Sequence, residues 1–542
     1  PHPSAKDHLD EVMHALWKDA AKGRVLLCTN VHEHLLSRVV SAPMARVPKQ
    51  NPDRTMSDKG RLIWDGTVPN QSCPKEDHPP ADQPRHEDLA RIIMWWKARM
   101  PGVDIMLAKK DVKDAFRWVV MHEMDACIFG ADLEGGKWGV AALITAVYMV
   151  LTFGWTGSPG EWMIWAWVAK CYHAAYRPAD ARWDDDVPFH SSFLMDDQVL
   201  VEPDIGTRAA QSGDTALEGI RACLGGDAIN EEKDLEEGGW ETSKICWGLL
   251  YRTREGTIEM PEPKIEKAAY LLADPTLDYG QQTIPWNFLE IYRGNQQYWA
   301  LVMPAMRCLV GATDALMRGR PRRLAGPKSD DVQGALAWSD FWQATEVARV
   351  LAADKSKWSS RFTGALPGVL SINEKLALPG WQYRVIWVTG DATPQRIATV
   401  DWVNSKCAFH SVPEFMQALR EAVGVEEDEE AIIAIAEFMN LVTFAAKAGA
   451  EGWWERGVVM YGGDNYNVHC WLQNRRARNR YASFLIMVVT CLEAVYGYEV
   501  SSAYFRTYHN VTADTFSRVE DEEAVELAQE KGLEVVSLKD SW

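Results

Sequence analysis

The run Ser191-Ser192-Phe193-Leu194-Met195-Asp196-Asp197-Gln198-Val199-Leu200-Val201-Glu202 sets two adjacent carboxylates between apolar arms, Phe193 to Met195 and Val199 to Val201. Side chains on a strand alternate between faces, and arms of this kind bury as a β-hairpin, so the pattern predicts a turn that carries Asp196 and Asp197. A tight turn can aim two acids at one point, and holding them together is costly unless a cation offsets their repulsion. A solvated Asp-Asp turn is the plain alternative. The stretch by itself leaves both open.

At 542 residues the chain exceeds what one core can organise, and two to four domains are expected. Hydrophobic content of 47% and charged content of 25% are those of a folded, water-soluble protein. The ten cysteines are scattered with no CxxC pair, which argues against a zinc site or a disulfide framework and for an intracellular, reducing compartment (nucleus, cytoplasm or an organelle). Beginning at Pro1, the chain is expected to be a processed form or a fragment, so its start says nothing of targeting. Trp138 to Trp155 carries no charge over 18 positions, near the length of a membrane span. Interruption by Gly139, Thr145, Thr152 and Gly154 favours buried structure leading into a loop, and no membrane partner is expected. The net charge of −19 runs against the basic surface usual in nucleic-acid binders; local basic clusters and bound metal ions would have to offset it.

In chain order, residues 1–40 read as an amphipathic helical stretch. Two short strands joined by a basic turn then present Lys49, Lys59 and Arg61, suited to the triphosphate of a nucleotide, although an ordinary exposed hairpin reads the same way. A helix is expected over 86–99. Val103 to Phe116 reads as a strand that delivers Asp111 and turns into a short helix, which could set a third carboxylate opposite the Asp196-Asp197 turn. Phe153-Gly154-Trp155-Thr156-Gly157-Ser158-Pro159 has the Gly and Pro content that lets backbone approach a ligand closely. An amphipathic stretch near 207–223, the segment Leu224 to Lys233 and a strand Ile245–Tyr251 follow.

This ordered set resembles the palm of a reverse transcriptase, in particular those of DIRS-like or gypsy-like LTR-type retrotransposons, over about residues 41–310. The resemblance implies that Asp111, Asp196 and Asp197 hold two Mg²⁺ ions (Mn²⁺ being the alternative), one activating a primer 3′-hydroxyl and one holding the triphosphate. It also implies that Phe116 gates against a ribose 2′-hydroxyl, favouring dNTPs, and that Lys233 donates a proton to pyrophosphate. A solvated helix-end lysine is the alternative for Lys233. The chain departs from the family at Leu194, where an aromatic residue is usual. Arg318, Arg320, Arg322 and Arg323 read as a basic cluster suited to a phosphate backbone, or as a solvated linker.

From about residue 380 the pattern changes. Tyr383–Asp391 and Val458–Asp464 read as strands that each end on an acid, Glu437 lies in an otherwise apolar helix, and Asp514 sits in Asn510-Val511-Thr512-Ala513-Asp514-Thr515-Phe516-Ser517-Arg518. An acid on a buried helix face is unusual unless paired or metal-bound. The four acids in this order resemble the ribonuclease H fold, which implies two further Mg²⁺ ions held by Asp391, Glu437, Asp464 and Asp514. Arg475, Arg476, Arg478 and Arg480 would meet a nucleic-acid backbone. Tyr504 stands where that family has a flexible histidine, with His509 nearer the last acid.

The fold class expected is α+β, a right-hand polymerase followed by an α/β ribonuclease H-like domain. The expected division is N-terminal extension and fingers over 1–100, palm over 101–255, thumb and connection over 256–379, and the ribonuclease H-like domain over 380–542. The function expected is reverse transcription with linked hydrolysis of the RNA strand, acting on RNA template, DNA primer, RNA–DNA hybrid and dNTPs. The alternative is a domesticated, retroelement-derived structural or binding subunit of a larger assembly, favoured by the acidic balance, Leu194 and the 25 tryptophans.

Overall fold

A computed structural model describes residues 3–29, 38–50, 56–140, 143–179, 186–303, 306–318, 324–326, 332–362, 384–412, 416–417 and 429–538. Pro1–Arg254 and Glu255–Trp542 form two compact units.

In the first unit the expected N-terminal helix is shorter than the pattern suggested. It spans Leu9–Ala21 and buries Val12, Met13 and Leu16. Gly23, at φ 70°, turns the chain into β1 (Val25–Thr29). This strand pairs antiparallel with β6 (Leu143–Tyr148), which pairs with β5 (Gly130–Glu134). The charge-free run from Trp138 therefore contains the central strand of a small sheet, with Ile144, Ala146 and Tyr148 in its core. β2 (Met44–Gln50) and β3 (Met56–Trp64) form a hairpin.

The acidic stretch folds as expected into a hairpin of β7 (Ser191–Leu194) and β8 (Asp197–Pro203), and β8 also pairs with β4 (Ile105–Asp111). One face of this sheet is covered by the helices Ser158–Ala174 and Arg208–Leu224, whose Trp162, Ala166, Ala169 and Ile220 share a core with Phe193. The single strand expected over 245–251 is instead a second hairpin, β9 (Ser243–Cys246) with β10 (Leu249–Arg252). Trp247 at φ 51° and Gly248 at φ 86° make its turn, two left-handed residues whose twist suits tightly paired strands.

The outer end of β8 is fixed by a buried ion pair. Glu202 is 0% and Arg208 1% exposed, with Nε to Oε2 at 2.5 Å. Arg208 also donates to the carbonyls of Val187 and Pro188 and lies 4.7 Å from the Trp96 ring centroid. Removing one partner leaves a buried charge unpaired, at a cost of roughly 3–5 kcal/mol. Arg208→Ala is therefore expected to lose stability of that order in chemical denaturation, and a variant within 1 kcal/mol of wild type (about the error of such a comparison) would contradict this account.

In the second unit, β11 (Thr257–Glu259) pairs with β14 (Ser359–Arg361), and β12 (Ile284–Pro285) with β13 (Leu324–Ala325). Helices Glu262–Leu272, Trp286–Trp299, Met306–Met317 and Val332–Ala353 pack with Tyr292, Trp299, Phe341 and Trp358 edge-on to one another. Part of the tryptophan content is thus core. The side chains of Arg320, Arg322 and Arg323 lie outside the described residues.

A six-stranded sheet follows, built from β15 (Arg384–Ala392), β16 (Arg396–Asp401), β17 (Lys406–Ser411), β18 (Gly457–Gly463), β19 (Glu499–Tyr504) and β20 (Glu534–Val535). Its order is β19-β18-β15-β16-β17-β20. β16 is antiparallel to both its neighbours, whereas β18 runs parallel to β15 and to β19. The helix Glu429–Ala450 packs on β15 and β16. Within it Ile432–Ala450 is long and apolar enough to cross a membrane by length and composition, but 72% of that window is buried inside the fold, so its apolar face is core.

Candidate functional sites

The β4–β8 register sets Asp111 directly opposite Asp197. The hairpin closes at the pair Leu194–Asp197, so the turn is Met195-Asp196, one residue earlier than the expected Asp196-Asp197, and Asp197 begins the strand. Met195 takes the left-handed conformation, φ 53°, and its carbonyl accepts from Trp162 Nε1 at 3.0 Å. The backbone N–H of Val112 donates to the Asp196 carbonyl at 3.0 Å. The turn is therefore tied to the strand that carries the third acid.

Asp111 is nearly buried, and both its carboxylate oxygens have donors. Lys233 Nζ lies 2.6 Å from Oδ1, and Asn230 Nδ2 2.7 Å from Oδ2. Asn230 caps the helix Glu231–Glu237 through its side-chain oxygen and also donates its backbone N–H to the Asp111 carbonyl. Sequence reasoning passed over Asn230, although an Asn immediately before a Glu-rich run is the signature of a helix cap. The lysines of β4 are neutralised on the same helix, Lys109 by Glu237 and Lys110 by Asp234.

Burial raises the Asp197 carboxyl to about 6, helped by the neighbouring charges of Asp196 and Asp111 and opposed by Lys109 and Lys233. Burial and Asp111 also push Asp196 up, while Lys233 and Arg61 pull it down. Lys233, against the pull of burial, is raised by its bond to Asp111. Arg61 is thus close enough to be felt at the acids; the side chains of Lys49 and Lys59 lie outside the described residues. Phe116, 8% exposed, packs on Phe153 with ring centroids 5.0 Å apart. Gly154 sits at φ 113°, and a Cβ there would come within 2.0 Å of the Trp64 carbonyl, so this approach admits only glycine. Beside it a cavity of about 480 Å³ opens between Ala45, Ile63, Asp65 and Asn70.

In the second unit Asp391 lies near the end of β15, Asp464 directly follows β18, Glu437 projects from the helix Glu429–Ala450, and Asp514 lies in the short helix Val511–Phe516. Ser517 Oγ donates to Asp391 Oδ2 at 2.5 Å, Tyr461 Oη to Glu437 Oε1 at 3.1 Å, and Arg518 to Asp514 at 2.6 and 2.8 Å. Asn510 Nδ2 donates to the Gly390 carbonyl at 2.7 Å, which docks the start of the helix Val511–Phe516 on β15. Asp391 is raised by burial and by Asp464 and Asp514; Glu437 is raised well above its ordinary value by burial and by Asp464 and Asp391. Asp391 therefore feels the charges of Asp464 and Asp514, and Glu437 those of Asp464 and Asp391.

Of the four arginines expected to meet a backbone, Arg475 is corrected by its environment. Its guanidinium binds Glu493 at 2.7 Å and the Val500 carbonyl, largely buried, and serves the fold. Arg480 forks onto Asp340 at 2.8 and 2.9 Å. Arg476 is exposed and reaches Asp314 at 3.3 Å, and Arg478 is exposed. Tyr504 and His509 are also at the surface.

Hard, all-oxygen donors that raise one another's pKa fit a divalent cation such as Mg²⁺. As the side chains stand, no three His, Cys, Asp or Glu among the described residues already converge in metal-holding geometry. The cation that Asp111 meets in this structure is the Lys233 ammonium.

No protein-family model and no curated protein matches this sequence. Among solved structures the chain is similar to a foamy viral protease-reverse transcriptase in complex with RNA/DNA hybrid, at 12% identity and TM-score 0.43, over 93% of this chain and 54% of that one. It is likewise similar to the foamy viral enzyme in complex with double-stranded DNA, at 11% identity and TM-score 0.43, over 93% of this chain and 84% of that one. These likenesses are distant in both sequence and fold.

Proposed function

We propose that the chain is a reverse transcriptase with a linked ribonuclease H, extending a DNA primer on an RNA or DNA template and hydrolysing the RNA of the hybrid. The observation that carries this reading is the register that sets Asp111 opposite Asp197, next to Asp196 in the turn, with the Lys233 ammonium on Asp111 and Phe116 packed on Phe153. The strand order of the six-stranded sheet, with one acid near the end of β15, one just past the end of its parallel neighbour β18 and two on helices, supports the ribonuclease H half.

In this reading Asp111, Asp196 and Asp197 would hold two Mg²⁺, or Mn²⁺, as would Asp391, Glu437, Asp464 and Asp514. When bound, such ions supply charge neutralisation at phosphate and activation of the attacking hydroxyl or water. The protein's own groups do the rest. Arg61, with Lys49 and Lys59, meets the triphosphate; Lys233, protonated at neutral pH, gives its proton to departing pyrophosphate; Phe116 and Phe153 wall off the sugar.

The test is primer extension on an RNA template by the wild-type chain with Mg²⁺ or Mn²⁺, followed by cleavage of a labelled hybrid. Extension requiring dNTPs is the expected result. Phe116→Ala opens the wall, so incorporation of rNTPs should rise by roughly 10–100-fold relative to dNTPs, the scale of one lost steric contact; unchanged selectivity in single-nucleotide kinetics would remove Phe116 from the role.

A second reading, a binding subunit of a larger assembly, is favoured by one feature. The helix Ser158–Ala174 exposes Ile164, Trp165, Trp167 and Val168 together. A folded wild type with no extension across several primers, and no salt-dependent affinity for a hybrid, would select it.

A further inference from the structure

We propose that Tyr461 is a positioning residue of the second carboxylate site, its hydroxyl fixing the orientation in which Glu437 faces Asp391 and Asp464. The inference rests on reading that site as a divalent-cation site.

Strand alternation puts Tyr461 and Gly463 on one face of β18 and Gly462 on the other. On the far face the Phe505 ring fills the place of a Gly462 side chain, whose Cβ would come within 2.0 Å of it. On the near face two glycines leave room for the pair. A Cβ at Gly463 would stand 2.2 Å from Glu437 Oε1, and one at Gly390 would stand 2.1 Å from Tyr461 Oη. Glycine weakens a strand interior, so its presence at two facing points marks a close approach.

Glu437 and Tyr461 are each 1% exposed. A buried carboxylate without a donor bears its full desolvation cost. Among the described residues Tyr461 Oη supplies the hydrogen bond to the Glu437 side chain, while Asp391 and Asp464 offer only like charge. Burial and Glu437 raise the Tyr461 hydroxyl, and the charges of Asp391 and Asp464 add to this. A leucine or phenylalanine would fill the space without holding the carboxylate. The hydroxyl is what gives Glu437 one orientation among acids that would otherwise turn it away.

The test uses the full chain carrying Asp196→Asn/Asp197→Asn, so that the second site dominates the binding, with Mn²⁺ as the probe and electron paramagnetic resonance as the readout. Tyr461→Phe is expected to weaken Mn²⁺ affinity by about tenfold, the size of an outer-shell effect, in a chain that stays folded but melts lower without metal, since Glu437 loses its donor. Gly463→Ala, whose Cβ would fall 2.2 Å from Glu437 Oε1 and 3.3 Å from the Tyr461 ring, should produce the same loss. In a Glu437→Gln background Tyr461→Phe should add nothing, because the two act as one unit.

Wild-type affinity retained in Tyr461→Phe, while Asp464→Asn loses it, overturns the proposal and leaves the site's reading intact. An undiminished tenfold effect in the Glu437→Gln background also overturns it, since Tyr461 then acts other than through Glu437. If the parent chain shows no Mn²⁺ binding that Asp464→Asn removes, the reading of the site falls and the proposal with it.

Discussion

Asp196→Asn/Asp197→Asn should lower primer extension on an RNA template by about 10³-fold or more, equivalent to about 4 kcal/mol of lost transition-state stabilisation. The two amides keep the size and one acceptor oxygen of each side chain and remove the charge, so the hairpin closed by Leu194 and Asp197 should survive. The same substitution should make the metal-free chain more stable, and the sign follows from the raised carboxyls. Asp197 titrates near 6 in the fold, against about 4 for an ordinary aspartate. Between those values the folded state keeps a proton that the unfolded state has released. Stability contributed by that proton is present at low pH and is lost as pH rises from about 4 to about 6. At pH 7 the repulsion among Asp111, Asp196 and Asp197 is fully present, and the double amide relieves it. Thermal unfolding at pH 7 should therefore show a variant that melts higher without metal and gains less from Mg²⁺ than wild type. Wild-type extension should in turn fall as pH drops through about 6, because a protonated carboxyl is a poor ligand. A variant that extends primers normally, or one that is less stable than wild type without metal, would remove these acids from the proposed role.

What was legible in the sequence was whatever local pattern determines. The hairpin of the acidic stretch, the helix His86–Arg99, the delivery of Asp111 at a strand end and the placing of Asp391, Glu437, Asp464 and Asp514 all follow from period and from apolar arms. The helix expected over 1–40 failed at Gly23 because periodicity does not see a left-handed turn. The strand expected over 245–251 failed for the same reason, at Trp247-Gly248. Arg475 misled because a run of arginines looks alike on paper, whereas its partner Glu493 lies 18 positions away in sequence and Val500 25. Asn230, Ser517 and Tyr461 were illegible as site residues, since each matters only through a carboxylate brought to it by the fold. Acids could be read from the chain; their supporting hydrogen bonds required tertiary structure.

Asp464→Asn should separate the two proposed activities. Its acid follows the last residue of β18, adjoining Gly463, and its charge raises both Asp391 and Glu437. Two of the other three acids of the second set therefore feel it, so its neutralisation changes most of the cluster. Cleavage of the RNA strand of a labelled hybrid is expected to fall by about 10³-fold, on the same scale as loss of a metal-holding charge in the first set. Primer extension should remain within about twofold of wild type, because Asp111, Asp196 and Asp197 belong to the other compact unit. The residual acids should also relax, as Asp391 and Glu437 each lose a like charge, so the metal-free chain should not be destabilised. Arg475→Gln makes the contrasting case. It breaks the bond to Glu493, which burial already penalises, and should cost stability before it affects hybrid binding. Cleavage that persists in Asp464→Asn, on gels run beside an extension assay of the same preparation, would deny the second carboxylate set its nuclease role. Loss of both activities together would show instead that the substitution acts on the fold.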